Sequence, residues 1–558
     1  MKDRHIFFLF LILVALVLVW GVVYPNLTII ITSLQRDNNW TLANYRDMAA
    51  SLSIIRAAWN SFWISLATVI GSALVGGGLA LFFNFYDFPG RRLFAALLPL
   101  PLVLPPLIGV LAFIFLYGES GIVSRAIIRG LALTGPPWRL NGAGAILAVH
   151  IYSMYAYFYI FVSAGLQRID FSLWEAARTL GAKPTSVFIK VLLPLLRPAL
   201  VGASLLTFMN SMASFSAPYL FGGGTPMLTL QIFNAKVSNQ WGLAMAESVV
   251  LALLSLSALL WLERQQQNLR GGSKGVTLAR RSINSGPLRL LAIVGGLIVM
   301  VLLLLPPLTL LLMSFVKDGS WTMQILPTVY TLDNYRKVFS STTFATPLSN
   351  SLIMSVVAAV ADLLIAVPTA YLLIRSRFHG QKLLSILILI PWALPGTVLG
   401  LSFMASFNRP TIMTGGIVLV GTFWILPIIY FLRNLPLVVR STQASLQQFD
   451  ETLESASRSL GASFWYTLRR VVLPLIWPGA LSGTALAFAN GMGEFVASIL
   501  VYVPASRPIS VEIAAQLRDF RVGSAAVYGV ILMAFIAISL LATWRQAGLS
   551  SESFTRST

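Results

Sequence analysis

Twelve apolar stretches divide the chain, and a helix needs roughly 20 mostly apolar residues to cross a hydrocarbon core. They run Ile6–Leu34, Ala57–Phe85, Leu93–Tyr117, Ala143–Leu166, Ala199–Phe221 and Gly242–Leu262, then Leu288–Val316, Ser349–Ile374, Leu383–Phe407, Ile412–Leu432, Gly479–Tyr502 and Val522–Trp544. Backbone polar groups in lipid must be satisfied inside the segment or in a closed barrel. The pattern therefore predicts an all-α integral membrane protein with about 12 transmembrane helices. Only 10% of residues are charged and 57% are apolar, which excludes a soluble multidomain enzyme and a disordered scaffold. The chain has no cysteine, so disulfides, thiolate metal sites and a cysteine nucleophile are excluded. Lys2 and Arg4 precede the first apolar run as in a signal peptide, but the run is too long and no small-residue cleavage pattern follows. A retained span is expected.

The chain holds 39 Lys and Arg against 19 Asp and Glu. With a cytoplasmic N-terminus, 25 of the 39 fall on the inside and 14 outside, so the positive-inside rule predicts both termini in the cytoplasm. The basic segment 263–287, with Arg264, Arg270, Lys274, Arg280 and Arg281 around Gly271 and Gly272, reads as a flexible linker against anionic lipid. Its place beside the membrane argues against nucleic-acid binding.

The linker divides a tandem repeat. Leu42-Ala-Asn-Tyr45 returns 290 positions later as Leu332-Asp-Asn-Tyr335, Asn60-Ser61 as Asn350-Ser351, and Pro101 and Pro105 as Pro391 and Pro395. Past the fourth span the offset becomes 280, matching Gly181, Pro194 and Pro198 with Gly461, Pro474 and Pro478. Two six-helix domains, 1–262 and 288–558, are expected. An even number of spans makes the copies parallel, around a pseudo-twofold axis along the membrane normal with the solute path between them.

The loop after each fourth span carries the most specific pattern. The first copy reads Ser172-Leu-Trp-Glu175-Ala176-Ala177-Arg-Thr-Leu-Gly181, continuing to Val191-Leu-Leu-Pro194. The second reads Thr452-Leu-Glu454-Ser455-Ala456-Ser-Arg-Ser-Leu-Gly461, continuing to Pro474. Ser172 with Glu175 fits a capping box, and each glycine suits a left-handed helix stop. Glu-Ala-Ala, three residues, Gly, nine residues, an aliphatic, one residue and Leu-Pro resembles the EAA loop of ABC importer permeases. That resemblance implies the type I importer fold, with each loop acting as a coupling helix on a cytoplasmic ATPase. Coupling residues would be Glu175, Ala176, Ala177, Gly181 and Pro194 in one copy and Glu454, Ser455, Ala456, Gly461 and Pro474 in the other. The second copy departs from the pattern, with Ser455 in the glutamate's place and Glu454 one residue early. Two such domains in one chain resemble the ferric-iron permease group, which also includes thiamine and phosphonate importers. The resemblance further implies two ATPase copies that bind the ATP and Mg, a periplasmic or surface-tethered binding protein, and a bacterial inner membrane.

The chain lacks the G-x-x-x-x-G-K-[ST] loop that cradles phosphates and any H-E-x-x-H spacing, and His5, His150 and His379 are scattered. No cofactor, metal site or catalytic residue is expected in it. Ionisable groups in spans are costly and face a pathway or a partner. Glu494 and its repeat counterpart Ser214 are candidates for the solute path, with Asn210, Asn490 and Asp362. Glu119, Glu247 and the tyrosines Tyr152, Tyr155, Tyr157 and Tyr159 read as interfacial or packing residues. A proton-coupled secondary transporter with twelve spans is the competing reading, because the same buried acids would serve it.

Overall fold

The computed structural model describes residues 2–102, 104–170, 172–267, 280–321, 324–376, 378–448 and 450–555. Residues 268–279 of the basic linker, including Arg270 and Lys274, lie outside them. Where the linker re-emerges, Arg281–Ser282 pairs in parallel with Tyr86–Asp87 of the first half. The following helix then begins at Gly286.

Ten helices among the described residues are long and apolar enough to span, where twelve were expected. An eleventh span is broken. Gln381–Ala393 and Gly396–Phe407 meet at 105°, because Pro395 cannot continue a helix and Leu394 before it is extended. Its first-half counterpart breaks likewise after Arg91–Leu97 and restarts at Pro106, so the expected uninterrupted span Leu93–Tyr117 is not formed. The stretch Ile412–Leu432 is also corrected. A helix there starts only at Ile425 and runs to Gln448, carrying Arg433, Asn434 and Arg440 into a position that repeat register pairs with Gly142–Leu166. Counting it, each half has six helices.

The repeated dipeptides have physical work in both halves. Asn44 donates to the carbonyls of Ser33 and Gln35, and Asn334 to those of Ser314 and Val316. The adjacent tyrosines, Tyr45 and Tyr335, bond Ser33 and Ser314, each at 2.8 Å. These contacts satisfy carbonyls that the first helix of each half leaves free at its end. Asn60 donates to the Pro226 carbonyl, and Asn350 to those of Ala505 and Arg507. Ser61 and Ser351 accept from the backbone of Leu228 and Ile509.

The halves exchange their first helices. Trp20 donates to the Met413 carbonyl at 2.7 Å, and Tyr24 to that of Ser406 at 3.1 Å. In return the Leu303 carbonyl, on the first helix of the second half, accepts from Tyr152 at 2.9 Å. Each half is thus braced by the other, which fixes the site between them.

Candidate functional site

The two loops expected to couple to an ATPase fold alike. Helices Ser172–Thr179 and Glu451–Ser459 end just before Gly181 and Gly461, whose φ values are +82° and +87°. Left-handed backbone favours glycine, as the sequence predicts. The chain turns into Pro184–Val187 or Phe464–Thr467, makes one wide turn (Phe188–Leu192, Leu468–Val472), and enters the fifth helix of each half. Pro194 and Pro474 sit where that helix resumes.

The caps differ from the expected Ser172–Glu175 box. The Asp170 carboxylate accepts from the backbone of Ser172 at 3.0 Å, and that of Asp450 from Thr452 at 2.9 Å. This Thr452 bond holds the Asp450 carboxyl below the usual carboxylate range. Freed from capping, Glu175 is exposed beside exposed Ala176 and half-buried Ala177. Leu180 and Leu460 stand 88% and 89% exposed, and Leu173 and Leu453 about half exposed at equivalent places. The exposed leucines thus recur at equivalent places beside a small-residue surface, one apolar patch on each loop.

The loops are anchored differently. Trp174 packs on Phe85 with ring centroids 5.8 Å apart. Its counterpart is Glu454, which points inward instead of outward: it is buried, pairs with Arg375 at 2.7 Å, and accepts from Tyr371 at 3.2 Å. The second loop's outer surface is therefore left to Ser455, Ala456 and Leu460. The Ser455 hydroxyl donates to the Glu451 carbonyl of its own helix.

The solute-path candidates gather where both fifth helices break, after Met212 and Met492. Phe215 and Phe495, equivalent residues of the repeat, meet with ring centroids 5.9 Å apart, and Tyr219 lies 6.0 Å from Phe495. Contact between equivalent residues places the pseudo-twofold axis between them. Both rings are buried. One turn earlier on each helix, Asn210 and Asn490 are exposed.

Ser214 and Glu494 immediately precede these rings. Each carbonyl accepts a 2.7 Å bond, from Thr229 of Leu228–Val237 and Ser510 of Ile509–Arg518 respectively. Ser214 bonds His150 at 2.8 Å. Glu494 is ion-paired with Arg433 at 3.1 Å and accepts from the Ala497 backbone at 3.0 Å. Sequence reasoning missed Arg433 because it was assigned to the cytoplasmic segment after Leu432. Asp362 is fully buried, and neither of its carboxylate oxygens has a hydrogen-bond partner. In this conformation it lines no open path.

The comparisons with known proteins also find the duplication. Binding-protein-dependent transport system inner membrane components match residues 72–271 and again 362–547. The chain belongs to this family. Its permease fold is therefore present twice, as the repeat predicts. Relatives align over nearly the whole permease. It is 27% identical to the Probable ABC transporter permease protein y4fN of Sinorhizobium fredii, covering 99% of this chain and 98% of that one. It is 28% identical to the Ferric transport system permease protein FbpB of Actinobacillus pleuropneumoniae over 96% of this chain and 77% of that one. With the Fe(3+)-transport system permease protein FbpB 2 of Haemophilus influenzae it shares 25% over 86% and 87%. The protein is an ABC importer permease subunit.

Proposed function

We propose that this permease moves ferric iron from a solute-binding protein into the cytoplasm, driven by two copies of a separate ATPase. The observation that carries the drive is the pair of equivalent leucine-bearing faces at Leu173–Leu180 and Leu453–Leu460. Support for iron is the similarity to ferric permeases over 96% and 86% of this chain. ATP and Mg would bind the ATPase, and this chain would act as the translocation subunit without a hydrolytic site. Closure of the ATPases pulls the coupling helices together. The fifth helices, continuous with the loops through the wide turns, carry that movement to the Phe215–Phe495 contact. In this reading both termini are cytoplasmic, and the binding protein docks on the opposite face.

Uptake of radiolabelled iron in cells lacking the chromosomal permease tests this, with an aminoethylphosphonate competitor and an uncoupler as separate arms. Iron uptake that needs the ATPase gene and survives an uncoupler while ATP is maintained is expected. Uptake independent of the ATPase but abolished by the uncoupler would instead make the chain a proton-coupled transporter. Phosphonate uptake without iron uptake would remove the iron assignment alone.

A further inference from the structure

Across the pseudo-twofold axis the halves differ in charge at one level. The first half presents Ser214 bonded to His150, the second Glu494 paired with Arg433. Both carboxylate oxygens of Glu494 are engaged, Oε2 by the Arg433 Nε and Oε1 by the Ala497 backbone N–H. Arg433 is not fully engaged. Its Nη1 is buried without a hydrogen-bond partner, although a guanidinium offers five donors in a planar fork.

That free edge lies over Gly396, where an added Cβ would sit 2.6 Å from Nη1. Only glycine lets the guanidinium come so close to the backbone. Gly396 opens the helix Gly396–Phe407, whose first peptide N–H groups have no partner within the helix. In the same first turn Thr397 is fully buried, and its hydroxyl also lacks a partner. Unused donors are thus concentrated at the break of the third span, against the break of the fifth, where Val496 packs on Gly396. The Arg433 side chain remains 26% exposed, and Asn490, one turn before Glu494, is exposed.

We infer that Arg433, with Thr397 and the start of the Gly396 helix, receives an anionic oxygen group of the solute, a carboxylate or a phosph(on)ate. Planar, two-point recognition of such groups is what arginine does best. Glu494 is then a positioning residue that holds the guanidinium by its Nε side and leaves Nη1 for the ligand. Glu494 offers a cation no free charge, because its carboxylate is already paired with Arg433. The inference rests on the permease reading and narrows its substrate class. Iron would cross this level with carboxylate or phosphate ligands attached, since the guanidinium repels a bare cation.

The cysteine-free chain allows a clean test. Asn490→Cys is introduced into the full-length permease, purified with its ATPase, and the rate of maleimide labelling is measured. Inorganic phosphate and citrate are the anionic probes, putrescine the cationic one, each against chloride at equal ionic strength. Phosphate and citrate should slow labelling at least fivefold, and putrescine should not. Arg433→Met combined with Glu494→Gln, which leaves neither charge alone in the interior, should abolish the protection. Should that double variant fail to assemble, Thr397→Val serves, with protection expected to fall by half or more. Equal protection in the variants, protection by putrescine but not by phosphate, or a Cys at 490 that never labels would each overturn the inference. Co-purification of the ATPase in the same samples reports separately on the permease reading.

Discussion

Removing the carboxylate of Glu454 should release the second coupling helix while leaving the first in place. Its ion pair with Arg375 is 2.7 Å long with side chains only 7% and 10% exposed, and Tyr371 donates to its other oxygen. Breaking a buried pair by deleting one partner costs roughly 3–5 kcal/mol. Arg375 retains the Leu446 carbonyl at 3.4 Å and sits at the end of its helix, so the low end applies, about 3 kcal/mol. If that loss falls on local docking, the undocked population of Glu451–Ser459 rises about 100-fold, at tenfold per 1.4 kcal/mol. Hydrogen–deuterium exchange reads this directly, because local opening sets amide protection. Glu454→Ala should raise exchange across Glu451–Ser459 by up to that factor, leave Ser172–Thr179 unchanged, and lower uptake per ATP hydrolysed. Glu454→Gln keeps the shape and both bonds in neutral form and should cost about 1–2 kcal/mol. Unchanged exchange in Glu454→Ala, or equal loosening of both loops, would refute the assignment of Glu454 as the anchor of one helix.

Gly181→Val and Gly461→Val should each weaken co-purification with the ATPase. No atom lies within 4 Å of the added Cβ, so the cost is purely the left-handed backbone, about 1–2 kcal/mol or more for a β-branched residue. Phe215→Ala with Phe495→Ala opens the ring contact on the axis and should give ATP hydrolysis without binding protein, together with leakage of a small dye from proteoliposomes. A dye-tight, binding-protein-dependent double variant would show that the contact does not close the path. Asn334→Ala strands the Ser314 and Val316 carbonyls and should destabilise the detergent-solubilised protein by about 2 kcal/mol, at roughly 1 kcal/mol per hydrogen bond. Asn44→Ala should do the same in the first half, and a thermal melt unchanged by both would contradict the role given to the repeated Asn-Tyr pairs.

The repeat made much of the architecture legible because it records contacts. Asn44-Tyr45 with Asn334-Tyr335, and Asn60-Ser61 with Asn350-Ser351, proved to be the same hydrogen bonds made twice. The coupling glycines were legible because a left-handed turn leaves few alternatives. Hydropathy was weakest where helices break or carry charge. Pro105 and Pro395 interrupt stretches that are apolar throughout, and length alone does not reveal a bend. Ile425–Gln448 is flanked by other helices rather than by lipid, so Arg433 and Arg440 sit in it at a cost met by partners, and the apolar window slid toward Ile412. Glu454 and Glu494 stood out in the sequence, one as a displaced motif glutamate and one as an acid within an apolar span. Their partners, Arg375 and Arg433, lie 79 and 61 residues earlier on other helices, a pairing that only the fold reveals.

The central claim is that one chain carries two working docking faces for a separate ATPase. Native mass spectrometry of the complex extracted with its ATPase measures this directly. The account predicts one permease chain to two ATPase chains, falling to one when Leu173 and Leu180, or Leu453 and Leu460, are replaced by Asp. A wild-type complex of one to one, or an ATPase that stays bound when all four leucines are replaced, would contradict it.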